Sequence, residues 1–144
     1  MVKLSPHFYL HEFTDSQTAT RDGIDNEPAQ YALKNLCRIA YTLEIIRSEL
    51  GAPISISSGY RGPALNKAIG GSTKSKHMQG LAVDFTVRGY TPFEAVERIR
   101  EIVGFNKLII EFGRWVHLDL SDHLKNQVLI ASKRNGKTHY EVLT

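Results

Sequence analysis

The spacing of apolar residues predicts one long helix in the first third of the chain. Between Pro28 and Gly51 apolar side chains recur every three or four positions, at Ala32, Leu36, Ile39, Leu43, Ile46 and Leu50. Asn26 is a suitable N-cap, Pro28 falls in the first turn, and Gly51 provides the stop. We expect the apolar stripe of this helix to form the back wall of a core.

Alternation of apolar and polar residues predicts strands after this helix. Residues 54–57 alternate, and so do residues 81–87, where Ala82, Asp84 and Thr86 would share one face. Residues 107–111 and 115–120 flank a short turn and predict a hairpin. A second hairpin is predicted where two apolar runs near the C-terminus flank Asn135-Gly136.

Helix and loop signals fill the remaining segments. Thr91, Pro92 and Glu94 form a capping box, and the apolar stripe that follows predicts a helix up to Gly104. Residues 64–69 could form a short helix before a flexible, glycine-rich loop. Residues 15–26 are rich in Asp, Thr, Gly and Asn and are predicted to be a loop.

Length and composition favour one ordinary globular domain. The chain has 144 residues and a net charge of +3, so we expect a single domain over 1–144 and a monomer. Its one cysteine, Cys37, excludes an internal disulfide and a cysteine-rich zinc site. The basic residues are scattered without interleaved aromatics, which predicts no nucleic-acid partner, and the slight positive charge could favour an anionic partner such as a bacterial wall.

The same sequence predicts no membrane partner and no ordinary secretion. No apolar run is long enough to span a bilayer, and the first residues lack the apolar core of a signal peptide. We therefore expect a protein made in the cytoplasm. If it acts elsewhere, something other than an ordinary signal peptide must deliver it.

Two histidines and an aspartate are the candidate chemistry. Asp84 would lie on the strand face opposite Val83 and Phe85, where a buried carboxylate needs a partner such as a metal ion. His77 precedes it by seven positions, and His117 lies in a later predicted strand. Two imidazoles and one carboxylate leave a fourth zinc position open for water. His7 and His11 also have helical metal-pair spacing, but ordinary packing roles are favoured for them.

These residues belong to motifs that resemble a known family. The three motifs are Ser75-x-His77-x-x-Gly80-x-Ala82-x-Asp84, the preceding Ser57-Ser58-Gly59-Tyr60-Arg61, and the following Trp115-Val116-His117. They look like those of the zinc D-Ala-D-Ala metallopeptidases, which include D,D-carboxypeptidases, dipeptidases and phage endolysins. The match is best with the small, phage-type branch.

The resemblance implies a fold, a cofactor and a set of site residues. The fold would be α+β and hedgehog/DD-peptidase-like, with an antiparallel sheet of about four strands and helices packed on one side. His77, Asp84 and His117 would bind Zn²⁺, and Arg61 would bind substrate and stabilise the oxyanion. Ser75 is expected to form a hydrogen bond beside the site, and Gly80 to let its loop turn closely beneath the metal.

The general base is less clearly marked. Many family members carry an acidic residue three positions before the last histidine, where this chain has Arg114. Glu111 is the favoured substitute, because a three-residue turn over 112–114 would pair it with Trp115 on the face of His117. A two-residue turn would pair Glu111 with Val116 and point it away. Asp119, two residues after His117, is the second candidate.

The resemblance implies zinc-dependent hydrolysis of an amide bond in the peptide stem or cross-link of bacterial peptidoglycan. A lysin of phage type, released by a holin or carried in a virion, is the favoured role. The alternative is a non-catalytic, zinc-stabilised module that binds the wall or supports a structure. Which peptidoglycan bond would be cut depends on the shape of the pocket.

Overall fold

A computed structural model describes residues 1–144. In chain order the elements are β1 (Lys3–Ser5), β2 (Phe8–Tyr9), α1 (Leu10–Thr14), α2 (Gln17–Asp22), α3 (Gln30–Leu50), β3 (Ile54–Ser58), α4 (Pro63–Ala68), a 3₁₀ helix (Lys76–Gln79), β4 (Ala82–Val87), α5 (Pro92–Ile99), β5 (Lys107–Glu111), β6 (Trp115–Asp119), β7 (Gln127–Arg134) and β8 (Lys137–Val142). None of the helices combines the length and apolar character that a membrane span requires.

The main sheet has six strands in the order β3-β4-β6-β5-β7-β8. The α+β class is as predicted, but the estimate of about four antiparallel strands was wrong. The predicted C-terminal hairpin, β7–β8, joins the sheet at β5 and adds two strands. Strands β5 and β7 run parallel, whereas the other neighbouring pairs are antiparallel.

The parallel pairing is held by the connection from β6 to β7. This connection, residues 120–126, crosses the start of β5. At its end, the amide of Asn126 donates to the carbonyl of Phe105, and the amide of Phe105 donates to Asn126 Oδ1, at 2.8 and 3.0 Å. These two bonds place β7 beside β5 in a way that no local sequence pattern indicates.

One face of the sheet packs against α3 and α5 and forms the core. Val83, Phe85 and Leu118 of the sheet are fully buried in the same cluster as the predicted stripe of α3. Each fully buried leucine or isoleucine stabilises the fold by roughly 2 kcal/mol. The helix α5 has the predicted capping box, but it ends at Ile99, before Gly104. The opposite face of the sheet is therefore the one available for a site.

The N-terminal segment contains a helix where a loop was predicted. Residues 15–26 were expected to be a loop, but they contain α2, which Ser16 caps and which Gly23 ends at a φ of 65°. Helix α3 begins at Gln30 with Ala29 as its N-cap, so the prediction that Asn26 caps this helix was wrong. The side chain of Asn26 is used elsewhere, as described below.

Candidate metal centre

Three predicted donors meet on the open face of the sheet. Asp84 on β4 and His117 on β6 are direct partners in an antiparallel register, and His77 comes from the 3₁₀ helix. Nδ1 of His117 lies 2.8 Å from Oδ1 of Asp84, and Nε2 of His77 lies 3.3 Å from Oδ2. One donor atom from each residue lies within 4.8 Å of the others, which suits a single metal ion.

His77 is held so that one ring nitrogen is free for a metal. Its Nδ1 donates to the carbonyl of Gly59 at 2.6 Å, since a carbonyl oxygen only accepts. Nε2 then faces Asp84 without a proton in the neutral ring. A backbone carbonyl behind a histidine is a common means of fixing both the tautomer and the ring direction in metal sites. The donor set therefore fits zinc, and His77, Asp84 and His117 would hold it.

Gly80 ends the 3₁₀ helix that carries His77 and lies directly against α3. The residue has a φ of 71°, and a Cβ there would lie 2.5 Å from the carbonyl oxygen of Ala32. The glycine thus permits both the left-handed turn that ends the 3₁₀ helix and its close contact with α3. Any side chain at Gly80 would push the 3₁₀ helix away from α3 and shift His77.

The side chain of Arg61 is fixed beside the donors through Ser75. Its Nη2 donates to Ser75 Oγ at 3.1 Å, and the same oxygen accepts from the amide of His77 at 3.2 Å. The predicted hydrogen bond of Ser75 is therefore present. Nε of Arg61 is buried and has no hydrogen-bond partner in the protein.

Asn26 holds the backbone on both sides of Arg61. Its amide nitrogen donates to the carbonyls of Tyr60 and Thr14, at 3.0 and 2.9 Å, and its Oδ1 accepts from the amide of Gly62 at 2.8 Å. The sequence analysis missed this role. Asn before a helix is a common cap, so no local signal distinguishes the two uses.

Glu111 lies on the donor face, as the three-residue turn predicted. It pairs with Trp115, and the turn contains Phe112 and Gly113 with φ angles of 55° and 67°. Its Oε1 is 3.8 Å from Nδ1 of His117. Burial raises the pKa of Glu111 above its ordinary value, and the net effect of the neighbouring charges does not reverse this. A carboxyl group with a raised pKa is suited to take up and release a proton near neutral pH.

Asp119 is committed to the backbone. Its Oδ1 accepts from the amide of Ser121 at 2.6 Å, and the residue is only 4% exposed. Ser121 in turn accepts a hydrogen bond from the side chain of Asn106. Asp119 also lines the metal cavity, but one of its carboxylate oxygens closes the turn after β6, so Glu111 is the better placed of the two candidate bases.

Charges in the cluster are strongly coupled. Burial alone would raise the pKa of Asp84. Hydrogen bonds and positive charge from His117 and His77, which His77 provides only when its ring is protonated, outweigh burial and hold the pKa of Asp84 well below its usual range. For His117 the effects are reversed. Burial alone would lower the pKa of His117, but the hydrogen bond to Asp84 and the charge of Asp84 outweigh burial and raise this pKa. Without metal the ionised carboxylate of Asp84 and the protonated ring of His117 therefore stabilise each other.

Zinc affinity is expected to fall as the pH is lowered through the pKa of His117. Zinc must displace the proton from Nδ1, and Asp84 raises the pH at which this competition begins. Below that pKa the affinity should drop about tenfold per pH unit, as for one displaced proton. Titration against a chromophoric chelator at a series of pH values measures this, and an affinity that stays constant down to about pH 6 would contradict it.

The donors open into a cavity with a basic rim. The cavity has a volume of about 470 Å³, and its lining includes Arg61, Glu111 and the lysines at 74, 76 and 107. A larger cavity of about 930 Å³ lies next to it and shares Arg61. Four cations thus line the cavity. Lys76 is paired with Asp122 at 3.7 Å, which leaves Arg61, Lys74 and Lys107 to favour a substrate with negative groups.

The donor set of two imidazoles and one carboxylate is that of a single-metal centre of hydrolytic type. A second carboxylate, Glu111, and an arginine, Arg61, lie beside it. The sequence profile of the Peptidase M15 family matches residues 6–119, which is more than three quarters of the chain. The chain belongs to this family, whose members are zinc peptidases, so the resemblance stated above is confirmed. A comparison with curated proteins gave no match.

Proposed function

We propose that this peptidase hydrolyses an amide bond in the peptide stem or cross-link of bacterial peptidoglycan, using zinc held by His77, Asp84 and His117. The observation that carries the proposal is the position of Glu111, on the donor face and 3.8 Å from His117. The basic rim supports the substrate class, because peptidoglycan stems carry free carboxylates. Membership of the Peptidase M15 family supports the reaction.

Zinc, when bound, supplies a Lewis acid that activates water and polarises the scissile carbonyl. The chain supplies the proton transfers and the remaining charge. Glu111 accepts the proton of the attacking water and later gives it to the leaving amine. Arg61 offsets the negative charge that develops on the carbonyl oxygen. Ser75 and Asn26 hold Arg61 in place through the hydrogen bonds described above.

The proposed biological role is that of a phage-type lysin. Such a lysin would reach the cell wall after release by a holin or within a virion. A second candidate function is a non-catalytic, zinc-stabilised module that binds the wall. It is favoured by Arg114, which occupies the position where many relatives of this kind carry an acidic residue.

Digestion of purified peptidoglycan, read by mass spectrometry, tests the proposal. We expect soluble products that appear with zinc and disappear with a chelator, and their masses identify the bond that is cut. Clearing of outer-membrane-permeabilised cells should depend on zinc in the same way. If the protein sediments with peptidoglycan but releases nothing at any zinc concentration, the binding module is the better description.

A further inference from the structure

The C-terminal hairpin lies outside the family match but reaches the metal cavity. The match ends at residue 119, whereas β7 and β8 span 127–134 and 137–142. Leu129 of β7 and Tyr140 of β8 nevertheless line the same cavity as His77, Asp84 and His117. This hairpin is therefore an addition to the matched region that contributes a wall to the candidate site.

The register of the sheet explains how Tyr140 comes to face the site. Glu111 pairs with Ala131 on β7, and Ala131 pairs with Tyr140 on β8, so the three lie in one row across the sheet. Residues directly opposite one another on neighbouring strands project from the same face. Ala131 has only a methyl group, so its small side chain leaves space above the sheet between Glu111 and Tyr140.

Tyr140 keeps much of its ring and its hydroxyl group accessible. It is 57% exposed, and no hydrogen bond from its hydroxyl group to the protein is present. Partial burial, and the charge of Glu111, raise the pKa of Tyr140, which agrees with the closeness of the two side chains. A phenol at the edge of the cavity thus keeps both an apolar ring face and a free hydroxyl group.

We propose that Tyr140 contacts the part of the substrate beyond the scissile nitrogen and acts as a specificity-determining residue. This inference rests on the proposed function. Across the sheet the order is Arg61, then the donors, then Glu111, then Tyr140. Glu111 returns its proton to the leaving amine, so the leaving group lies on its side of the donors, next to Tyr140. The ring would pack on the leaving group, and the hydroxyl would bond to one of its polar atoms.

Two substitutions separate the ring from the hydroxyl group. Tyr140→Phe removes the hydroxyl alone, and Tyr140→Ala removes both. Tyr41→Phe and Tyr41→Ala are matched controls, because Tyr41 is 69% exposed on α3 and does not line the cavity. Initial rates on purified peptidoglycan are compared at equal zinc content. We expect kcat/KM to fall about tenfold in Tyr140→Ala and less in Tyr140→Phe, with unchanged zinc affinity.

A binding measurement makes the test independent of turnover. A phosphinate dipeptide has a tetrahedral group that resembles the intermediate formed when water adds to the carbonyl. Its affinity for the zinc-loaded protein should fall most in Tyr140→Ala and less in Tyr140→Phe. Equal affinities and rates for the Tyr140 and Tyr41 variants would overturn the inference while wild-type hydrolysis upholds the proposed function. If the wild-type protein does not hydrolyse peptidoglycan, the proposed function is wrong. The phosphinate affinities would still decide the role of Tyr140.

Discussion

Glu111→Gln is expected to lower the hydrolysis of peptidoglycan by about 10²–10⁴-fold, the usual contribution of a positioned general base. Glutamine keeps the shape of the side chain on the donor face but cannot accept the proton of the attacking water. Glu111 is not one of the three donors, so the zinc content should stay unchanged. Loss of turnover with retained metal separates a base from a ligand, and metal analysis beside the rate assay measures both.

Two control variants make this result specific. Glu101→Gln changes an exposed glutamate outside the cavity in the same way and should leave the rate unaltered. Asp119→Asn tests the second candidate base, and its amide oxygen can still accept from Ser121. Full activity in Glu111→Gln, together with loss in Asp119→Asn, would transfer the role to Asp119. Full activity in both would mean that neither carboxylate is the base.

Local rules were sufficient to place Asp84 and Glu111 on their strand faces, whereas the grouping of His77, Asp84 and His117 as metal donors came from the family resemblance. Alternation along β4 put Asp84 opposite Val83 and Phe85, and the structure has this arrangement. The length of the turn after Glu111 decided its face, because a shift of one residue in register reverses every side chain of a strand. These features depend on neighbours in sequence, and for that reason a single sequence predicts them.

Features that depend on distant pairing were missed. Asn26 bonds to Tyr60 and Gly62, more than thirty residues away, and its local context equally suits a helix cap. The attachment of the predicted C-terminal hairpin to the main sheet, through the parallel pair β5–β7, depends on Asn126 and Phe105 at the crossover. The position of Tyr140 next to the cavity follows from that pairing, so no motif in the sequence indicates it.

His77→Ala is expected to abolish both zinc binding and hydrolysis. The substitution removes one of three donors, and it also leaves the carbonyl of Gly59 without its 2.6 Å partner. Loss of only the hydrogen-bond partner behind a metal-binding residue usually lowers metal affinity about 10–100-fold. Loss of the metal-binding side chain itself should lower the affinity further. Because zinc binds the folded chain, it should stabilise the wild type by about 2.7 kcal/mol at a hundredfold excess over Kd. The variant should lose this stabilisation.

Thermal unfolding with and without zinc measures this effect without any substrate. His123→Ala is the matched control, since it removes an exposed imidazole that does not line the cavity. The control should keep the zinc-dependent rise in Tm, and His77→Ala should show none even if its metal-free Tm is also lower. A zinc-dependent rise of equal size in both variants would show that the ion binds elsewhere. The Lewis acid would then lie away from Glu111 and Arg61, and the proposed division of roles among these residues would fail with it.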